Sequence, residues 1–147
     1  MLLPEIDFLP RIKKQNDKLY IFDDIRKKFV LLTPEEWVRQ KFIHLLIQNY
    51  DYHANLFQVE KKLQYHQKVK RTDILIWTND AKPYFLIECK AESIVLSEQV
   101  LFQATTYNSI QRANYLGITN GKEYMCYRFI DEKGMYEPID VIPFFEY

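Results

Sequence analysis

Apolar and polar positions change period several times along the chain, and each change marks an element. "KLYIF" and "KKFVLL" read as two short strands parted by the turn-like "DDIR", an opening hairpin or sheet edge. "TPEEWVRQKFIHLLIQNY" then sets Thr33 at an N-cap, Pro34 at the first helical position and Glu35 and Glu36 in the first turn, ahead of apolar residues at 38, 42, 45 and 46. That is an amphipathic helix. "NLFQVEKKLQYHQ", "RTDILIW" and "YFLIECK" read as three strands, and "SEQVLFQATTYNSIQRA" as a second helix with an inward stripe at 100, 103, 104, 107 and 110. "NYLGITNG" is a strand closing on an Asn-Gly turn, with "KEYMCYRFI" as its partner or neighbour. The tail "MYEPIDVIPFFEY", with two prolines, is expected to pack irregularly over an edge.

The strands around 73–77 and 84–89 are apolar on both faces, so the sheet they belong to needs cover on both sides. An α/β or α+β fold follows, a central mixed sheet flanked by helices on both faces.

Three charges interrupt this apolar hairpin: Asp73, Glu88 and Lys90. If the strands pair about a turn centred on Asp80 and Ala81, partner numbers sum to 161 and Asp73 falls opposite Glu88. Directly opposed side chains have Cβ atoms about 4.5–5.5 Å apart. Lys90, two residues on, projects from the same face. Two carboxylates so close and partly buried repel each other, and removing Asp73 is expected to relieve the strain unless a cation sits between them. Mg²⁺, which takes oxygen ligands and readily uses one or two carboxylates with water and phosphate, answers that need. Lys90 then serves as a point charge on a phosphate or helps orient an attacking water, and the chemistry is metal-assisted phosphodiester hydrolysis. The same residues also admit a buried Glu88–Lys90 or Asp73–Lys90 salt bridge with no catalysis.

Composition bounds the picture. With 147 residues, 48% hydrophobic and 16% aromatic, the chain suits one compact domain over residues 1–147. No run approaches the ~18 apolar residues of a membrane span, and no signal-peptide pattern opens the chain, so a soluble, unexported, cytoplasmic protein is expected. Cys89 and Cys126 lack metal-like spacing and read as reduced, buried thiols. Net charge is zero, yet residues up to Thr72 carry 14 basic against 9 acidic side chains, and those from Asp73 onward 6 against 11. The short basic runs permit a nucleic-acid face and equally a solvated one. His44, His53 and His66 have no company that would make a zinc site, and the many Phe and Tyr residues serve a core before they serve base stacking.

Asp73, the later Glu88-Cys89-Lys90 and a preceding helix opening with Glu35-Glu36 together resemble the PD-(D/E)xK nuclease superfamily. More narrowly, "TPEEWVRQKFIHLLI", "VEKKL", "KRTDILIW", "YFLIECKAE", "QATTYN" and "YLGITNG", spanning 33–121, are similar to the N-terminal nuclease domain of type I restriction enzyme R subunits in a short stand-alone form. The resemblance implies a restriction-endonuclease-like core and a Mg²⁺-dependent DNA endonuclease in which Mn²⁺ can substitute. It makes Asp73 and Glu88 metal ligands and Lys90 the catalytic lysine, with a helix glutamate joining the metal shell. Glu36 fits the capping-box position three after Thr33, whereas Glu35 lies near the Val38 and Phe42 stripe and is favoured for the site. Gln103 and Tyr107 match a Q-x-x-x-Y element that supports the site or contacts DNA, or else they are satisfied core residues.

Thr72 stands where the family signature has proline, and Arg71 adds a phosphate-contact candidate. The 147 residues contain no Walker A motif or helicase segment, so specificity would come from phosphate contacts, DNA shape or a separate specificity or motor protein. A homodimer cutting a duplex as a two-fold pair is a further arrangement the fold allows. Two other functions compete: a non-catalytic nucleic-acid-binding or partner-docking module that keeps the fold, and a structural domain whose ion network only fixes it.

Overall fold

The computed structural model describes residues 1–65, 68–97, 99–100 and 112–147, with 61–65 and 68–72 described by backbone alone. Strands β1 (Ile12–Gln15), β2 (Lys18–Asp23) and β3 (Lys28–Leu31) form a small antiparallel sheet. Helix α1 (Pro34–Asn49) and a 3₁₀ turn (Ala54–Leu56) lead into β4 (Phe57–Tyr65), β5 (Lys68–Trp77), β6 (Pro83–Cys89), β7 (Tyr115–Thr119), β8 (Tyr124–Ile130) and β9 (Met135–Ile139). These six strands form a second sheet in chain order. All its neighbours are antiparallel except β6 and β7, which run parallel. The architecture is a mixed α+β fold around a mixed six-stranded sheet.

α1 begins as the sequence dictates. Thr33 Oγ1 accepts from the Glu36 N–H at 3.0 Å, and Pro34 occupies a position whose N–H would have had no partner. The helix buries Val38, Phe42, Ile43, Leu45 and Leu46 against Ile74, Ile76, Phe85 and Ile87. On the opposite face Leu75, Leu86, Leu116, Ile118 and Tyr127 form a second cluster. Two cores on one sheet explain why β5 and β6 read as continuous apolar runs rather than alternating ones.

A parallel β6–β7 pair requires a crossover of a dozen or more residues, and the segment between Cys89 and Tyr115 supplies it. Leu96 and Val100 from this segment pack on the second cluster. The helix expected over 97–113 falls largely outside the described residues, as do Gln103, Tyr107 and His66. Among the described residues α1 covers the first face, and the helical Gln99 and Val100 belong to the crossover segment that reaches the second. No helix among the described residues is long and apolar enough to cross a membrane.

Three elements differ from expectation. β1 is not predicted by the hydrophobic pattern, because all four of its residues are exposed and carry no apolar period. The tail opens as a regular edge strand, β9, which tolerates Pro138 because an edge position can spare a ladder donor. Only after it does the chain turn irregular, burying Ile142 and Phe145. β6 ends at Cys89, so Lys90 lies just past the strand, although its N–H still donates to the Thr119 carbonyl at 2.9 Å.

Candidate functional site

The β5–β6 register pairs Ile74 with Ile87, Leu75 with Leu86 and Ile76 with Phe85, all summing to 161, before an irregularity at Trp77. Asp73 and Glu88, one step beyond Ile74 and Ile87, therefore face one another at the end of the pair. Asp73 is held at both oxygens. Oδ2 accepts from the Cys89 N–H at 2.8 Å, and Oδ1 accepts from Arg39 Nη2 at 2.9 Å.

Glu88 is buried, and Lys90 Nζ lies 3.3 Å from its Oε1. Burial first, and the Asp73 charge second, push the Glu88 carboxyl up to about 8 against the opposing pull of Lys90. Burial would lower the Lys90 ammonium, but the charge and hydrogen bond of Glu88, with the Glu35 and Asp73 charges, together outweigh it and the net shift is upward. Lys90 is therefore a cation at neutral pH, suited to a point-charge role and not to taking a proton.

The two helix glutamates part company. Glu36 is buried, and its carboxylate accepts from Arg26 Nη2 at 2.7 Å, Arg39 Nη1 at 2.9 Å and Gln40 Nε2 at 3.1 Å. Glu36 thus reaches Asp73 through a shared arginine. Glu35, the one favoured from sequence, is exposed and reaches the site as a charge that raises Lys90. Arg71 is described by backbone alone, paired in register with Lys62 two residues before Asp73.

Arg26, Arg39 and Glu60, which the sequence pattern does not single out, form with Glu36 an ion-pair network that ends on Asp73. Arg39 is buried; burial pulls its guanidinium down, while the Glu36 and Asp73 charges more than offset this and raise it. Its Nη2 also lies 3.3 Å from Glu60 Oε1. A signal existed in the spacing of Glu36, Arg39, Ile43 and Leu46, an inward row at helical period whose first two members are charged. Glu60 had no comparable signal.

The arrangement supplies hard oxygen donors at Asp73 and Glu88 with an ammonium beside them. Among the described residues no group of three or more His, Cys, Asp or Glu side chains is set to hold a metal ion. Two carboxylates completed by water are nevertheless an ordinary Mg²⁺ ligand set. The raised Glu88 carboxyl marks the electrostatic conflict a cation would relieve, so the residues fit such an ion.

The family described as "Type I restriction enzyme R protein N terminus (HSDR_N)" matches residues 34–143. No curated protein matches the chain. Among solved structures, a fragment assigned as the HsdR subunit of a type I restriction enzyme from Vibrio vulnificus YJ016 is similar, with a TM-score of 0.52 and 20% identity. The match covers 77% of this chain and 24% of that one, so this chain spans about a quarter of the larger protein's fragment.

Proposed function

Because the chain belongs to the family of type I restriction enzyme R protein N termini, we propose that it is the nuclease element of a restriction-modification system, a divalent-metal-dependent phosphodiesterase of the PD-(D/E)xK type acting on DNA. One observation carries the reading: Asp73 and Glu88 face each other on adjacent strands, with Lys90 Nζ 3.3 Å from Glu88. Asp73 and Glu88 would hold Mg²⁺, or Mn²⁺ in its place, while Glu35 and Glu36 lie close enough to add charge to its surroundings. Bound there, the ion would neutralise phosphate charge and acidify a water.

The chain's own residues supply the rest. Arg39 and the Cys89 N–H each take one lone pair of the Asp73 carboxylate, which fixes its plane and leaves a second lone pair on each oxygen. Glu88, when ionised, is steadied by Lys90. Lys90, held as an ammonium, is placed to meet a phosphate oxygen. The matched residues span 24% of the structural relative, and DNA and other subunits of a restriction system are the partners proposed for them.

A second reading, a DNA-binding or docking module without turnover, draws on the Arg39–Asp73 pair, which already gives Asp73 a counter-charge. Mn²⁺ calorimetry on wild type and Glu88→Ala, followed by incubation with supercoiled plasmid, separates the two. Binding lost in the variant together with nicking by wild type supports the nuclease. Absence of Mn²⁺ binding by wild type rejects it in favour of the module.

A further inference from the structure

The turn between β2 and β3 is built to aim one side chain. Asp23 is fully buried, and its Oδ1 accepts from the N–H groups of Ile25 at 2.8 Å and Arg26 at 3.1 Å, while Oδ2 pairs with Arg26 Nε. Backbone and side chain are thus clamped by one carboxylate. The guanidinium left projecting meets Glu36 Oε1 at 2.7 Å and Glu60 Oε2 at 3.1 Å.

Those same two carboxylates aim Arg39. Glu36 Oε1 takes both arginines, and Glu60 divides its oxygens, Oε2 to Arg26 and Oε1 to Arg39. Arg39 Nε is buried with no hydrogen-bond partner among the described residues. Its fork is therefore oriented only through its two Nη groups, by Glu36, Glu60 and Asp73. Glu60 also sits with φ +55° between the paired residues Val59–Ile74 and Lys61–Thr72, a left-handed glutamate inside a strand and in register with Asp73. Such a backbone persists only where its surroundings hold it, and the Glu60 carboxylate is tied to both arginines.

We infer that Arg26 is a positioning residue of the Asp73–Glu88 site: it fixes Glu36 and Glu60, and through them the Arg39 guanidinium that orients Asp73. The inference rests on the reading of that site as a metal centre. Arg26 comes from the small N-terminal sheet, outside the 34–143 segment that the family matches, so the site is completed by an element the family pattern does not include. Four carboxylates, Asp23, Glu36, Glu60 and Asp73, surround two guanidinia, and removal of either leaves carboxylates it now pairs with short of a counter-charge.

The test uses amide exchange and Mn²⁺ titration on the full chain. The Cys89 N–H, which donates to Asp73 Oδ2, reports the position of Asp73 without metal. In Arg26→Met it is expected to exchange roughly tenfold faster, the cost of weakening one bond to a charged acceptor, while the amides of Leu75 and Leu86 keep their protection. Mn²⁺ affinity is expected to fall by a similar factor. Unchanged Cys89 exchange, equal loss of protection at Leu75 and Leu86, or unchanged Mn²⁺ affinity would each overturn the role. If wild type binds no Mn²⁺, the metal reading fails, and Cys89 exchange still decides whether Arg26 orients Asp73. Should Arg26→Met not fold, Arg26→Lys keeps the charge but not the fork and is expected to show the same two effects more weakly, with their absence overturning the role.

Discussion

Asp73 faces Glu88 across the β5–β6 pair, and burial together with that neighbouring charge lifts the Glu88 carboxyl from its ordinary 4.5 to about 8. The folded state therefore holds the Glu88 proton more tightly than the unfolded one. Between those two values folded protein binds more protons, so metal-free stability falls as pH rises through the window. The expected loss is on the order of a few kcal/mol, read from urea unfolding at pH 5.5 and 8. Glu88→Gln is expected to flatten the slope. Mn²⁺ competes with that same proton, so its affinity should climb over the same range, with proton release visible as a buffer-dependent heat.

Removal of Asp73 has a sign that the facing acids alone would get wrong. With only Glu88 in view, Asp73→Ala relieves repulsion and stabilises. The structure adds Arg39 Nη2 and the Cys89 N–H, both buried donors that the variant would leave short of an acceptor. We expect Asp73→Ala to cost about 1–3 kcal/mol in metal-free buffer. It should also bring the Glu88 carboxyl down, because the like charge is gone. Equilibrium unfolding and a carboxyl NMR titration read the two effects separately.

The hairpin register could be read because β5 and β6 are apolar on both faces and the turn between them is short, which fixes one pairing number. Thr33, Pro34 and the inward stripe located α1 for the same reason, each residue type having a local physical cause. Arg39 and Glu60 lie 34 and 13 residues before Asp73 in sequence, on different elements, so only the inward spacing on α1 could have pointed to Arg39, and nothing local pointed to Glu60. β1 escaped because it buries nothing. The Gln103 and Tyr107 element falls outside the described residues, so its part in the site stands as the resemblance left it.

The sheet that carries the site has its own point of sensitivity at Gly117 on β7. A Cβ built there would lie 2.8 Å from Phe85 Cε2 and 3.0 Å from Phe85 Cζ, and Phe85 is fully buried beneath α1. Gly117→Ala is expected to destabilise by about 1–3 kcal/mol through overpacking. Combining it with Phe85→Leu should recover part of that loss, a non-additivity that a double-mutant cycle measures directly. Since β6 carries both Phe85 and Glu88, displacement of the ring is also expected to weaken Mn²⁺ binding.

Lys90 separates holding a metal from using it. Its ammonium sits past the end of β6, 3.3 Å from Glu88, and the upward shift driven by that carboxylate keeps it charged. Lys90→Met removes the charge while keeping an unbranched side chain of similar length. Without the opposing ammonium the Glu88 carboxyl is pushed up further, but the same loss of positive charge favours a divalent cation at least as strongly, so Mn²⁺ binding should be retained at pH 7 and strengthen as pH is raised. Plasmid nicking should behave differently, falling by roughly 10²-fold or more if the ammonium meets charge that develops on the phosphate, and staying low at higher pH with Mn²⁺ bound. Nicking near the wild-type rate by Mn²⁺-loaded Lys90→Met would instead reduce Lys90 to a counter-ion of Glu88.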